Sequence, residues 1–120
     1  MKRGALGVAG LLGFTAVAAG AFGAHALRGR LSPAMLEVYR TGALYHLVHA
    51  VAVFGVALAG ERLHRQRLIL ALFTAGIVVF AGSLYALAIS GIGVLGAVTP
   101  LGGLLLLAAW ALVAAEALSG

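Results

Sequence analysis

The chain has 120 residues, of which 63% are hydrophobic and 9% charged, and its mean hydropathy is +1.14. That usage is far from a soluble domain's, and the length suits a single domain. The absence of cysteine excludes disulfides, thiolate-held zinc and iron–sulfur clusters. The net charge of +5 comes from basic residues at the ends of apolar segments. There they anchor and orient membrane helices, so nucleic acid is not an expected partner.

The first apolar interval runs from residue 4 to residue 27, behind Lys2 and Arg3. Basic residues before an apolar run resemble a signal peptide, and Ala24-His25-Ala26 fits a small-x-small cleavage pattern. The run is longer than the 7–15 residues of a signal core, so it is read as an uncleaved first span. The spacings Ala5, Ala9, Gly13 and Ala16, Gly20, Ala24 form small-residue faces that let another helix backbone come close.

A basic loop with Arg28 and Arg30 follows, and Ser32-Pro33 then supplies an N-cap and a first helical residue. The second helix is placed over 33–60, with 41–60 as its membrane part. Glu37 and Arg40, in the headgroup region, are expected to form an interfacial ion pair. A second basic loop, 61–67, leads into the most diagnostic stretch of the chain. The 48 residues from Leu68 to Ala115 contain no Lys, Arg, Asp, Glu or His. One crossing takes about 20 apolar residues, so this stretch predicts two spans, 68–90 and 100–118. Between them lies a glycine-punctuated loop, expected to rest at the interface because exposed backbone is not tolerated in lipid. Thr99-Pro100 repeats the cap-plus-proline signal. The expected fold class is therefore all-α, an integral membrane four-helix bundle.

Both termini and the second loop share one side, with five basic residues, Lys2, Arg3, Arg62, Arg65 and Arg67. The other side has three, Arg28, Arg30 and Arg40. The bias favours cytoplasmic termini in a bacterial inner membrane.

Few residues could carry chemistry. Tyr39, Gly42, His46, His49 and Val53 share one face of the second helix. By depth, His25, Tyr85 and Thr99 lie in the same outer half, so the candidate polar site is His25, Tyr39, His46, His49, Tyr85 and Thr99. Ionisable groups at membrane depth turn to a bundle interior or a cavity, and histidine can titrate near neutral pH. Against a proton path, no carboxylate lies at that depth, so the preferred reading is interhelical hydrogen bonding. His46 and His49, at i and i+3, with His25 could offer three nitrogens to zinc, or two to haem. Neither histidine sits in a recognised metal motif, and no metal or cofactor is expected. Trp110 is read as filler, Glu116 as an end marker, and Ser83 as bonding back to its own helix. With no P-loop, no G-x-S-x-G and no paired buried carboxylates, enzyme chemistry is not expected.

Four motifs in order carry a family resemblance: Gly20-Ala21-Phe22-Gly23-Ala24-His25-Ala26-Leu27, the run from Tyr39 to Ala50, Gly82-Ser83-Leu84-Tyr85, and the run from Leu95 to Gly103. Together they resemble the small bacterial YgdD-like membrane proteins, relatives of eukaryotic transmembrane protein 256. The resemblance implies a four-span inner-membrane protein and supplies no substrate or catalytic residue, since the family is a domain of unknown function. Such proteins often carry Gln or Met between the tyrosine and the histidine of the second motif, where Thr41-Gly42-Ala43-Leu44 is less polar. Two classes of function follow. One is a non-enzymatic membrane protein that binds lipid, a partner helix or its own copy. The other is a small transporter or channel built on His25, His46 and His49.

Overall fold

A computed structural model describes residues 2–118. Four helices in it are long and apolar enough to cross a membrane: Arg3–Leu27, Pro33–Arg62, Gln66–Ser90 and Gly93–Glu116. The first has three parts: α1 (Lys2–Val17), a π-helical turn (Ala18–Gly23) and α2 (Ala24–Leu27). The next is α3 (Pro33–Ala59), which ends in a 3₁₀ turn (Gly60–Arg62). Then come α4 (Gln66–Ser90), a 3₁₀ connection (Gly93–Ala97) and α5 (Thr99–Glu116).

Local chemistry sets these boundaries. The Ser32 hydroxyl accepts from the Met35 N–H at 3.2 Å, and Pro33 opens the helix with its φ already suitable. Gly91 ends α4 in a left-handed conformation, φ 72°, and its N–H closes on the Leu87 carbonyl at 2.8 Å. The start of α4 is capped from across the bundle. The Glu116 carboxylate accepts from the backbone N–H groups of His64 and Arg65, at 2.9 and 3.0 Å. A negative group at a helix N-terminus is favourable on dipole grounds, so Glu116 is a cross-helix cap rather than a simple end marker.

The helices run up and down, each packed on its sequence neighbour: α1 on α3, α3 on α4, α4 on α5. The result is a flattened bundle of 50 × 26 × 17 Å. In lipid the hydrophobic effect does not drive helices together, so close approach must. Glycines allow it between α4 and α5. A Cβ at Gly102 would overlap the Phe80 backbone, and one at Gly76 would lie 2.6 Å from Leu106 Cδ2. On α1, Ala5, Ala9 and Ala16 are buried, and α3 is the helix they pack on.

The bundle divides by depth. The half nearest the Gly60–Gln66 turn is an apolar core, with Phe73, Ile69 and Val53 fully buried beside Ile77, Leu106 and Ala109. The half nearest the Arg28–Leu31 loop holds most of the polar side chains. Outward faces are apolar almost all round, Phe14, Leu58, Val78 and Leu104 among them. That distribution suits a lipid solvent.

Candidate functional site

His46 and His49 are both buried on α3, and their hydrogen bonds define the site. His46 Nδ1 lies 2.8 Å from the Tyr85 hydroxyl of α4, and its Nε2 lies 3.1 Å from Thr15 Oγ1 of α1. The Thr15 hydroxyl also reaches its own helix, 2.9 Å from the Leu11 carbonyl. A carbonyl only accepts, so one assignment satisfies every group. Tyr85 O–H donates to Nδ1, Nε2–H donates to Thr15, and Thr15 O–H donates to Leu11. His46 is then the Nε2–H tautomer and ties three helices together.

His49 takes the opposite tautomer. Its Nδ1 is 2.8 Å from the Tyr45 carbonyl one turn earlier, and must donate. Its Nε2 accepts from the Trp110 indole N–H of α5 at 3.0 Å, a group that can only donate. Phe73 packs against both rings, 4.9 Å from Trp110 and 5.8 Å from His49 between centroids. Trp110 is 44% exposed, yet it is a bonding partner and not filler. Hydropathy reads indole as apolar mass and is blind to its one donor.

Tyr39 stands above His46 on α3, its ring centroid 5.0 Å from that of Tyr85. Its hydroxyl donates to the Ala19 carbonyl at 2.7 Å. That carbonyl lies in the π turn and also accepts from the Ala24 N–H, five residues on. Insertion of a side chain into the backbone ladder is a recognised cause of such widening. Gly23 provides the space, since a Cβ there would overlap the Tyr39 hydroxyl. Gly42 does the same for Tyr85, whose Cε1 lies 3.1 Å from where its Cβ would be.

Two expected members stand apart. His25 is exposed and does not join His46 and Tyr85. Gly23 faces Tyr39, and His25 is two residues further along an α-helical turn, about 200° round the axis. Depth alone had grouped them, and rotation separates them. Thr99 joins Ser83 instead, Oγ1 to Oγ at 2.6 Å, while Ser83 also bonds back to the Phe80 carbonyl at 2.9 Å. Thr99 therefore stitches α5 to α4 rather than capping its own helix. The expected ion pair is also absent: Glu37 and Arg40 are both exposed, and no ion pair joins them among the described residues. Hydration at the headgroup level competes well with an exposed pair.

Among the described residues no three His, Asp or Glu side chains converge as a metal site would need. The four imidazole nitrogens of His46 and His49 are already engaged within the bundle. On the other face of the α1–α3 pair lies an apolar groove in two compartments of about 300 and about 370 Å³. They share Val17 and Leu47, and Arg40 lines one end.

Comparison with known proteins agrees with this architecture. Residues 19–103 match the family described as "Protein of unknown function (DUF423)". A UPF0382 membrane protein of Bacillus subtilis, YwdK, is 42% identical over 105 residues, covering 85% of each chain. One from Haemophilus influenzae is 41% identical over 111 residues, 92% of this chain and 90% of the relative. The UPF0382 inner membrane protein YgdD of Escherichia coli K12 is 40% identical over 110 residues, 88% of this chain and 82% of the relative. No solved structure matches. With four apolar helices, the four ordered motifs and this similarity over most of its length, the chain belongs to the DUF423 family, that of the UPF0382 membrane proteins.

Proposed function

We propose that this is a non-enzymatic membrane protein that holds a hydrophobic partner, a lipid chain or a helix, against its α1–α3 face. The observation that carries the reading is a contrast. The buried histidines of α3 are bonded to α1, α4 and α5, whereas the α1–α3 groove stands open and apolar. A site for a polar substrate needs polar groups free to receive it. A site for a chain or helix needs a groove and small residues. The basic-residue bias supports cytoplasmic termini, which puts the Arg40 end of the groove at the outer face of an inner membrane.

The groove is tested with a single reporter tryptophan in a Trp110→Phe background, placed at Leu47 in the groove or at Leu104 on the exposed face of α5. Brominated phospholipid is titrated into detergent micelles. Quenching at Leu47 should differ clearly from quenching at Leu104: stronger if a lipid chain is held, weaker if a helix covers it. Equal quenching would mean an ordinary lipid-facing surface and would overturn the reading.

The second reading, a small transporter or channel, is favoured by one cavity. It is about 220 Å³ and is lined by Thr15, His46, Tyr85 and apolar residues of α1 and α4. A proton or ion flux in proteoliposomes that His46→Leu removes would establish it. No flux above empty vesicles is the expected result.

A further inference from the structure

We infer that the α1–α3 groove seats the acyl chain of an anionic phospholipid whose phosphate pairs with Arg40. This rests on the proposed reading and names its partner. The groove is lined by Gly10 and Gly13 of α1 and Gly20 of the π-helical turn, and its α3 wall includes Leu47 and Phe54. A Cβ added at any of these three glycines would meet nothing within 4 Å. Packing inside the chain therefore does not require glycine there, although glycine costs helix stability relative to alanine. The missing side chains instead leave room for something from outside.

Charge at the end of the groove identifies what that is. From Arg40 to Ala59, α3 rises about 28 Å, close to the hydrocarbon thickness of roughly 30 Å. Arg40 thus stands where lipid phosphates lie. It is exposed and lines the groove beside Ala43 and Leu44. The rim on this side carries Arg28, Arg30 and Arg40 against Glu37 alone. A second copy of the chain, related by a two-fold axis along the membrane normal, would bring like charges together at one depth. Arg40 would face Arg40, and the single Glu37 of each rim, one turn away, would leave the basic charge in excess. An anionic lipid supplies the missing charge at the right level, and its chain follows the glycine-lined groove. The compartments, about 300 and about 370 Å³, fall at the lower end of small-ligand sites.

The test is native mass spectrometry of the full chain in detergent, offered equal phosphatidylglycerol and phosphatidylcholine with the same acyl chains. The wild-type chain should retain phosphatidylglycerol over phosphatidylcholine by roughly fivefold, the preference one basic residue gives near a membrane surface. Arg40→Gln, at an exposed position, should keep both lipids and lose the preference. Gly20→Leu and Gly13→Leu should each reduce retention of both, with helical content and unfolding temperature showing that the variants fold. Excess inorganic phosphate should displace neither lipid. Equal retention by the wild-type chain, or a preference that survives Arg40→Gln, overturns the charge assignment. If Gly20→Leu and Gly13→Leu still cut retention in that case, the broader groove reading stands. Displacement by inorganic phosphate, or a dimer dispersed by Gly20→Leu, would overturn the proposal, and the dimer would assign the groove to a second copy.

Discussion

Buried polar side chains of the described residues are matched donor to acceptor. His46 donates at Nε2 and accepts at Nδ1, and His49 does the reverse. His46→Leu removes a donor and an acceptor at once and leaves the Tyr85 hydroxyl without its partner. The expected loss is about 1 kcal/mol, typical of interhelical bonds in membranes; His46→Gln, which keeps both functions, should lose less. Chemical or thermal unfolding in mixed micelles checks both, and added zinc or a chelator should change neither result. Among the buried side chains of the described residues Thr74 is the exception to the matching, because its hydroxyl has no hydrogen-bond partner. Thr74→Val keeps the shape and removes the unpaired group, so it should stabilise the protein by about 1 kcal/mol, the low end of the penalty for such a group. A lower unfolding midpoint in Thr74→Val would show that the hydroxyl has a use in the folded protein.

At the scale of helices, glycines decide how near the elements come. The atom that a Cβ at Gly102 would meet belongs to the Phe80 backbone, which cannot turn aside. Gly102→Ala should therefore push α5 from α4 and cost about 1–3 kcal/mol, the usual range for overpacking. At Gly23 the obstacle is the Tyr39 hydroxyl, so Gly23→Ala should be destabilising alone and partly rescued by Tyr39→Phe. A double-mutant cycle reads that coupling, and strictly additive effects would refute the contact. These elements also show which parts were legible in advance. Ser32-Pro33 marks the start of α3 in the sequence as clearly as in the structure. The charge-free runs give the four helices, and hydropathy combined with charge gives depth. Rotation is legible where residues repeat along one helix, as Tyr39, Gly42, His46, His49 and Val53 do on α3, where all five are buried, and it is not legible for the lone His25. The π turn at Ala18–Gly23 shares its Ala19 carbonyl with Tyr39, a tertiary contact, so the placement of His25 away from His46 lay outside what regular periodicity could tell. Thr15 escaped notice because a threonine inside an apolar helix looks like a back-bonded hydroxyl, which it also is. Trp110 escaped because its lone N–H weighs little against its ring.

For the whole molecule, these ties make the bundle one unit. The His46 chain joins α1, α3 and α4, and the His49 chain adds α5. The His49–Trp110 tie rests on Phe73 of the apolar core, and an open surface is left on the α1–α3 face. Topology belongs to this scale. A cysteine at Gly29 should react with an impermeant reagent added outside cells, and one at Gln66 should not; the reverse pattern would invert the protein in the membrane. The hydrogen bonds of His46 and His49 engage both rings with the protein's own helices, which leaves no ring nitrogen for a substrate, proton or metal. Nitrogen NMR of ¹⁵N-histidine-labelled protein in bilayers observes this directly, with His46→Gln and His49→Gln assigning the signals. Two fixed, opposite tautomers are expected, Nε2–H at His46 and Nδ1–H at His49, unchanged by zinc. Rapid exchange between tautomers, an imidazolium at either position at neutral pH, or a shift on adding zinc would contradict the account.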